Sequence, residues 1–427
     1  MKALLKSLFA SILSFFSRLI LERYKPLIIM VTGSVGKTST KDAIAAALSN
    51  EFYLRASEKS YNSEFGVPLT IIGSKNPWNS PSAWLSVFGD ACMLLLFPSH
   101  YPRLLVLEVG ADSPGDLARI LRIATPDVVV VTRLPEVPVH VEAYASPQAV
   151  RDEEFMPAYA LASGAPLILS ADDVYAVHMA TRLPALISTF GMNTEATVQV
   201  ISPELVVMDG KPQGMRAALS IAGETHMLVV QGALGRAQLY APAAAVATAI
   251  ALGLTPQQAL KGLDAYVSPP GRARLFNGVH SSTLIDDSYN ASPAAVEEGL
   301  NAMKLLPAKR RVAILGDMLE LGRFSQEEHE RVGKLAATCA DVIISVGPRA
   351  KHISEAACDE KFNETNCLHF ETSREAALAL PDFIQEGDVV LIKGSQSIRV
   401  ERIVEALLKD PKDSVYLVRQ EKEWKKI

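Results

Sequence analysis

Lys37 and Thr38 close the short glycine-bearing run Val31-Thr-Gly-Ser-Val-Gly-Lys-Thr-Ser-Thr40. A lysine directly after a glycine, followed by a hydroxyl, is chemistry suited to a polyphosphate. The amine reaches the β- and γ-phosphate oxygens and the hydroxyl sits on Mg²⁺. Gly33, Ser34, Gly36 and Ser39 complete the loop, whose backbone N–H groups would surround the phosphates. The apolar run Pro26-Leu-Ile-Ile-Met30 precedes it and the helical pattern Lys41-Asp-Ala-Ile-Ala-Ala-Ala-Leu48 follows, so the order is buried strand, loop, helix. In that context the helix dipole adds to the N–H groups in holding an anion. ATP with Mg²⁺ is therefore the expected ligand pair. The loop is shorter than the Gly-x-x-x-x-Gly-Lys form, because Val31 stands where its first glycine would be.

The elements that must carry these groups alternate as in an α/β protein. The runs 104–107, 128–131 and 166–169 read as buried parallel strands, and so do 283–285, 312–315, 342–345 and 389–392. Ser268-Pro-Pro-Gly271 separates the two sets and marks the boundary between a central domain over 26–267 and a C-terminal domain over 268–427. Residues 198–230, with a turn at Asp209-Gly210, read as an antiparallel extension of the central domain. Asp317, Glu320, Lys393 and Ser395 fall just past strand ends, where open α/β sheets place ligand sites.

The first 25 residues form an amphipathic helical pattern whose longest uncharged run, 7–17, is too short for a bilayer that needs about 20 residues. Two readings stay open for it: contact with a membrane surface, or packing on the nucleotide-binding domain. The apolar stretch 91–97 reads as a buried helix. A net charge of −5 with 21% charged residues gives no basic surface for nucleic acid. Cys92, Cys339, Cys358 and Cys367 show no zinc or disulfide spacing, which fits a reducing cytoplasm, and a monomer is expected.

The short Thr-Gly-x-x-Gly-Lys-Thr loop resembles that of the Mur ligase family, which also includes folylpolyglutamate synthases. Further motifs appear in the family's order: Tyr61-Asn-Ser-Glu-Phe-Gly-Val-Pro-Leu-Thr70, Leu107-Glu-Val-Gly-Ala111, Ala171-Asp-Asp173, Gly271-Arg272, Ile285-Asp-Asp-Ser-Tyr-Asn290, Ile314-Leu-Gly-Asp-Met-Leu-Glu-Leu-Gly322 and Lys393-Gly-Ser395. The resemblance covers about residues 27–408. It implies an α/β fold, with a phosphate-loop central domain built on a parallel sheet and a Rossmann-like C-terminal domain that closes over the nucleotide. It also implies an ATP-dependent amide ligase. A substrate carboxylate attacks the γ-phosphate, and an amine then displaces phosphate from the acyl phosphate. The run 314–322 is most similar to the branch that joins D-alanyl-D-alanine to a muramyl tripeptide in cell-wall synthesis, so those two are the expected substrates.

Carried over residue by residue, the resemblance gives Lys37, Glu108 and His140 catalytic roles. Thr38 and Glu108 would meet the first Mg²⁺, and His140 the second. Asn62 belongs to the substrate side. Arg272 matches an arginine near the ATP phosphates, and Asp286 the residue that meets the ribose. Asp317, Glu320, Lys393 and Ser395 become candidates for positioning D-alanyl-D-alanine. Two departures stand out. Glu154 lies eight residues after Ser146, where the family usually carries a lysine carbamylated by CO₂ to make a metal-binding carboxylate. Glutamate already bears that charge, with Glu153 and Asp152 as competitors for the role. The family's adenine-binding Gly-x-His-Asn-x-x-Asn is replaced by Gly235-Arg-Ala-Gln-Leu-Tyr-Ala241, leaving Gln238 as the surviving amide.

The family's uridine-gripping N-terminal domain is replaced here by the short helix. Either the remaining domains hold the uridine, or the acceptor has another carrier, such as a lipid. The alternatives are a ligase for polyglutamate or folate, which the 314–322 run disfavours, and a nucleotide-binding regulator without turnover. Retention of Lys37, Thr38, Glu108 and His140 speaks against the regulator.

Overall fold

β1 (Leu27–Thr32) is an apolar run buried along almost its whole length, as a strand covered on both faces must be. It belongs to a computed structural model that describes residues 2–58, 62–77, 80–208, 210–360 and 362–425, the side chains of 2–8, 364, 422 and 425 excepted. Tyr61, Asp209 and the side chains of Leu4, Leu5 and Leu8 thus lie outside the described residues. The chain divides into two units. The first comprises Met1–Ile201, Ala218–Leu228 and Tyr240–Tyr266, and the second Ser202–Ala217, Val229–Leu239 and Val267–Ile427. The sequence reading instead allots the whole antiparallel extension to the central domain and sets the first helix apart.

In chain order the first half runs α1 (Lys2–Tyr24), β1, α2 (Lys37–Leu48), β2 (Leu54–Ala56), α3 (Gly66–Ile72), α4 (Pro81–Leu96) and β3 (Leu104–Glu108). It continues with α5 (Asp116–Leu121), β4 (Val128–Val131), α6 (Pro147–Glu154), α7 (Met156–Tyr159), β5 (Pro166–Ser170), α8 (Val174–Ala180) and β6 (Leu186–Gly191). The long strands β7 (Val198–Met208), β8 (Lys211–Ile221) and β9 (Glu224–Gln231) follow, then α9 (Ala237–Ala251) and α10 (Pro256–Leu263). The sheet order is β2-β3-β1-β4-β5-β6-β7-β8-β9. β1 lies between β3 and β4, parallel to both, which puts Val31 beside Glu108 and Thr32 beside Val131. The phosphate loop therefore leaves the middle of a parallel sheet at the carboxyl ends of its strands.

α1 is part of this unit's core. Leu13 and Ile20 are fully buried with Val67, Ile71, Val87 and Ala91. Phe9 lies against Trp84 and Phe88, and the Tyr24 ring stacks on Tyr101 with centroids 4.5 Å apart. Among the described residues of this helix, Leu13 and Ile20 are spent on the unit's core, as the packing reading expects, while Phe15 stays exposed. The stretch 91–97 is a correction in the opposite sense. It is helical as far as Leu96, but Met93, Leu96 and Phe97 are exposed, and only Val87 and Ala91 of α4 are buried. Hydrophobicity alone gave burial; the helix has only one face against the core.

The second unit holds β10 (Arg274–Asn277), β11 (Thr283–Asp287), α11 (Pro293–Met303), β12 (Arg310–Gly316), α12 (Ser325–Ala337) and β13 (Val342–Val346). After these come α13 (Lys351–Asp359), β14 (Cys367–Phe370), α14 (Ser373–Phe383), β15 (Asp388–Lys393) and α15 (Glu401–Leu407). Its sheet order is β10-β11-β15-β12-β13-β14, parallel except for the antiparallel pair of β10 and β11. One face, with Leu284, Ile314, Ile344 and Val390, packs on α14 and α15 through Leu380, Ile403 and Val404. Leu391 alternates to the other face and meets α11 at Gly299. Parallel strands with helices on both faces give the expected Rossmann-like layer structure.

Candidate active site

Gly33 and Gly36 open the loop in left-handed backbone, with φ of 119° and 91°. At Gly33 a side chain is also sterically barred, because a Cβ would lie 2.4 Å from Thr132 Oγ1. The loop is thus pressed against the end of β4, and Ser34 N donates to Arg133 O at 2.8 Å. Lys37, the first residue of α2, folds its ammonium back onto the carbonyl of Gly33. That carbonyl occupies the amine where phosphate oxygens would otherwise bind.

Thr38 Oγ1 donates to Glu108 Oε1 at 3.2 Å, and both side chains are buried. Glu108 is placed by register, since β3 ends beside the start of the loop, and its N–H donates to Ser57 Oγ at 3.1 Å. A hydroxyl and a carboxylate side by side are hard oxygen donors. They suit Mg²⁺, which takes one or two protein oxygens and leaves its other positions to phosphates and water. Among the described residues no group of three His, Cys, Asp or Glu is placed to hold a metal ion by itself. Asn62 belongs to the same place. A Cβ on Gly110 would stand 2.9 Å from Asn62 Nδ2 and 3.4 Å from Lys37 Cε, so amide and lysine stem flank one glycine. Ser39 is buried in the first turn of α2.

α6 brings the acidic run into this loop. Ser146 caps the helix by accepting from Ala149 N at 3.2 Å, and Pro147 starts it. Of the three acids, Glu154 faces the phosphate loop. Its Oε2 accepts from Ser34 Oγ, and its backbone carbonyl accepts from Thr32 Oγ1 at 2.6 Å. Burial pushes its carboxyl above the ordinary range, opposed by Lys37, the Ser34 hydroxyl and His140. Glu153 is spent elsewhere, accepting from Gly115 N at 3.1 Å and Leu117 N at 3.0 Å at the start of α5. Asp152 is exposed and accepts from Gln148 Nε2 at 2.8 Å. His140, in left-handed backbone with φ 67°, lies 3.5 Å from Asp112 Oδ1 through Nε2. One group here escaped the sequence reading of roles. The Tyr144 hydroxyl is buried without a hydrogen-bond partner, and burial together with Glu153, Asp116, Glu154 and Asp112 pushes its pKa up.

The second unit gathers its own constellation at the ends of β11, β12 and β15. Arg272 stacks over the Tyr289 ring, 4.1 Å from its centroid. Gln238 Oε1 accepts from Ser268 Oγ at 3.0 Å, and the same hydroxyl lies 3.2 Å from Arg272 O. Asp286 is fully buried; Oδ1 accepts from Ser288 N at 3.2 Å and from its hydroxyl, while Oδ2 has no partner. Burial pushes this carboxyl up to about 6 against those hydrogen bonds, with Asp287 adding to the rise and Arg274 opposing it. Lys393, the last residue of β15, is buried against Asp287 Oδ2 at 2.7 Å and donates to Asn290 O at 3.0 Å. Desolvation lowers its pKa, opposed by Asp287.

Asp317 follows β12 directly, and its Oδ1 accepts from Arg349 N at 3.0 Å and Ala350 N at 2.7 Å ahead of α13. Ser395 is tied to it through N–H to Asp317 O at 2.9 Å, and its hydroxyl accepts from Leu319 N at 2.9 Å. Glu320 sits in the same loop at φ 66°. These four residues lie at or just past neighbouring strand ends, and the side chains of Asp317, Lys393 and Ser395 all have protein partners. A buried cluster beyond the family motifs supports the Asp286–Asn290 turn. Arg419 donates to Ser288 O at 3.2 Å, to the carbonyl of Tyr289 and to Glu401 Oε2 at 2.8 Å. No local sequence signal marks it; it reaches the turn only through the fold of the C-terminal segment.

Comparison with known proteins agrees with this geometry. UDP-N-acetylmuramoyl-tripeptide--D-alanyl-D-alanine ligase of Bacillus subtilis (strain 168) is 25% identical over 386 residues, 90% of this chain and 76% of the relative. The Synechocystis enzyme of the same name is 28% identical over 398 residues, 92% of this chain and 77% of the relative. Among solved structures, MurF ligase from Thermotoga maritima in complex with ADP superimposes with a TM-score of 0.76 at 23% identity, covering 95% of this chain and 84% of that one. Residues 31–249 match the Mur ligase middle domain and residues 271–396 the Mur ligase glutamate ligase domain, so the chain belongs to the Mur ligase family.

Proposed function

We propose that this protein is an ATP- and Mg²⁺-dependent amide ligase that joins D-alanyl-D-alanine to a muramyl tripeptide through an acyl phosphate. The observation that carries the proposal is the convergence of Lys37, Thr38, Glu108 and Glu154 on one phosphate loop. Relatives that match 90% and 92% of this chain bear the name of that reaction.

The first step brings a carboxylate onto a triphosphate, and the repulsion between two anions in a site shielded from water must be offset. In this reading Lys37 leaves the Gly33 carbonyl and takes the γ-phosphate oxygens, and the loop N–H groups hold the rest of the chain of phosphates. Mg²⁺ would supply charge neutralisation, with Thr38 and Glu108 as its protein ligands and His140 and Glu154 as candidates for a second ion. Glu154 takes the place of the modified lysine without needing CO₂, and Ser34 keeps its carboxylate aimed at the loop. Asn62 orients the carboxylate substrate beside Lys37. In the second unit Arg272 and Asp286 hold nucleotide, with Gln238 bracing the Arg272 backbone through Ser268. Asp317, Glu320, Lys393 and Ser395 would position the incoming dipeptide, with Asp317 and Lys393 acting through the groups they hold. The cytoplasm is the compartment that supplies ATP and keeps the four cysteines reduced.

Phosphate release by purified protein with ATP, Mg²⁺, D-alanyl-D-alanine and a panel of nucleotide-linked and lipid-linked muramyl peptides tests this. Release that requires both the dipeptide and a muramyl peptide supports the proposal, and the panel identifies the carrier. Release with glutamate and a folate or polyglutamate acceptor instead would place the chain in that branch. Nucleotide binding without release under any combination would make it a regulator.

A further inference from the structure

α4 carries an apolar stripe on the side turned away from its own unit. Leu85, Met93 and Leu96 are 73%, 55% and 73% exposed, and Phe97 just past the helix is 52% exposed. Leu85, Gly89, Met93 and Phe97 follow one another at intervals of four, so they lie along one helix face. The stripe from Leu85 to Leu96 is about 16 Å long at 1.5 Å per residue. On α1, which packs beside α4, Phe15 is exposed as well. Several large apolar side chains along one exposed helix face, interrupted only at Gly89, are not ordinary surface.

Its surroundings are cationic. The Arg23 guanidinium donates to Leu95 O at 2.7 Å, which holds it at the Phe97 end of the stripe. Arg103 lies at that end too, because its carbonyl accepts from Leu27 N at 2.9 Å, two residues after the exposed Lys25. Residues 1–25 contain Lys2, Lys6, Arg18, Arg23 and Lys25 against Glu22 alone, a formal +4 in a chain whose net charge is −5. The exposed acids near the stripe are Glu22 and Asp90, with Asp127 at the Arg103 end; Asp90 accepts from Ser74 Oγ at 3.0 Å and Asp127 Oδ2 from Ile28 N at 2.8 Å. A protein that is acidic overall has thus concentrated positive charge around its most exposed apolar helix. An apolar strip with a basic rim matches the surface of an anionic bilayer, where side chains enter the acyl boundary and cations meet the headgroups.

We propose that the outer face of α4, rimmed by Arg23, Lys25 and Arg103, docks the protein on an anionic lipid surface. No helix among the described residues is long and apolar enough to cross a membrane, so the contact is peripheral. The phosphate loop leaves the carboxyl end of β1 whereas Lys25 and Arg103 precede the amino ends of β1 and β3, so docking leaves the loop uncovered. The proposal stands apart from the ligase reading and is read without any activity.

The test is co-sedimentation of the full chain with phosphatidylglycerol vesicles and with phosphatidylcholine vesicles. The exposed-face variant L85S/M93S/L96S and the rim variant K25E/R103E are run alongside, each checked by its circular dichroism melt. The parent should bind the anionic vesicles at least tenfold better than the neutral ones, and binding should weaken as salt rises past the range where the Debye length falls below about 10 Å. Each variant should keep the parent melt and lose at least tenfold of the binding. If the parent stays in the supernatant, or binds both vesicles equally, the proposal fails. Binding that survives the triple serine change overturns the role of α4. Concentration-dependent dimers in sedimentation velocity without lipid, abolished by L85S/M93S/L96S, would assign the face to a second copy of the chain instead.

Discussion

Ser34 Oγ donates to Glu154 Oε2 at 2.5 Å, fastening the last residue of α6 to the phosphate loop that leaves β1. The two residues are 120 positions apart, and of three consecutive acids only Glu154 is turned to the loop. If Glu154 serves as a metal ligand, turnover should be independent of dissolved CO₂. Glu154→Gln keeps size and loses charge, so the Mg²⁺ concentration for half-maximal rate should rise and turnover should fall. Glu154→Lys should be inactive in CO₂-free buffer and regain part of its rate with bicarbonate. A normal Mg²⁺ dependence in Glu154→Gln would reduce the residue to a brace for Ser34.

Lys37 provides the plainest test of the loop. Lys37→Ala removes the cation that the transferring phosphoryl group needs in a shielded site, and amide formation should fall at least about a hundredfold. Because the ammonium bonds a loop carbonyl in this structure, ATP should also displace it. A rate within a factor of a few of the parent protein would discard the phosphate-loop assignment.

Asp286 ties function to stability. Its carboxyl rests at about 6 in the folded protein, above the ordinary 3.8, chiefly through burial. A folded-state value above the unfolded one means that the folded form holds the proton more tightly. The associated stability is therefore complete below about pH 4 and is lost as pH rises to about 6, a cost of about 3 kcal/mol at neutral pH. Asp286→Asn should accordingly melt higher than the parent at pH 7.5, and the difference should shrink toward pH 4. It should also bind nucleotide less well if the carboxylate meets the ribose. A constant difference across that pH range would show that the carboxyl does not titrate as described.

α1 is expected to be structural. Leu13 is fully buried in the core of the first unit, so Leu13→Ala should cost about 2–5 kcal/mol in denaturant unfolding. Deleting residues 1–23 should leave that unit unable to melt cooperatively. A truncated protein with the parent melt would show that the helix is dispensable and that its apolar face is free for another surface.

The local order of strand, glycine loop and helix at 26–48 was settled by sequence, because each part has its own short-range cause: a continuous apolar run, glycines for left-handed backbone, an alanine-rich helix. The strand runs at 104–107, 128–131, 312–315 and 389–392 were legible for the same reason. Strands buried on both faces are apolar at every position. Shorter or more polar strands, β2, β6, β10 and β14, carried no such run and were not legible. What the sequence could not decide was direction. Asp152, Glu153 and Glu154 are equivalent as letters, and only the angle of α6 sends one to Ser34, one to α5 and one to solvent. Hydropathy made 91–97 a buried helix, yet burial depends on which face meets a neighbour. Cys358 and Cys367 show no pairing motif, but the turn from α13 into β14 sets their sulfurs 3.3 Å apart. Arg419 reaches the Asp286 turn from 130 residues away, through contacts that exist only once the chain has folded. Residue type and spacing fix what chemistry a chain can perform, whereas the meeting of distant side chains is a property of packing and has no local trace.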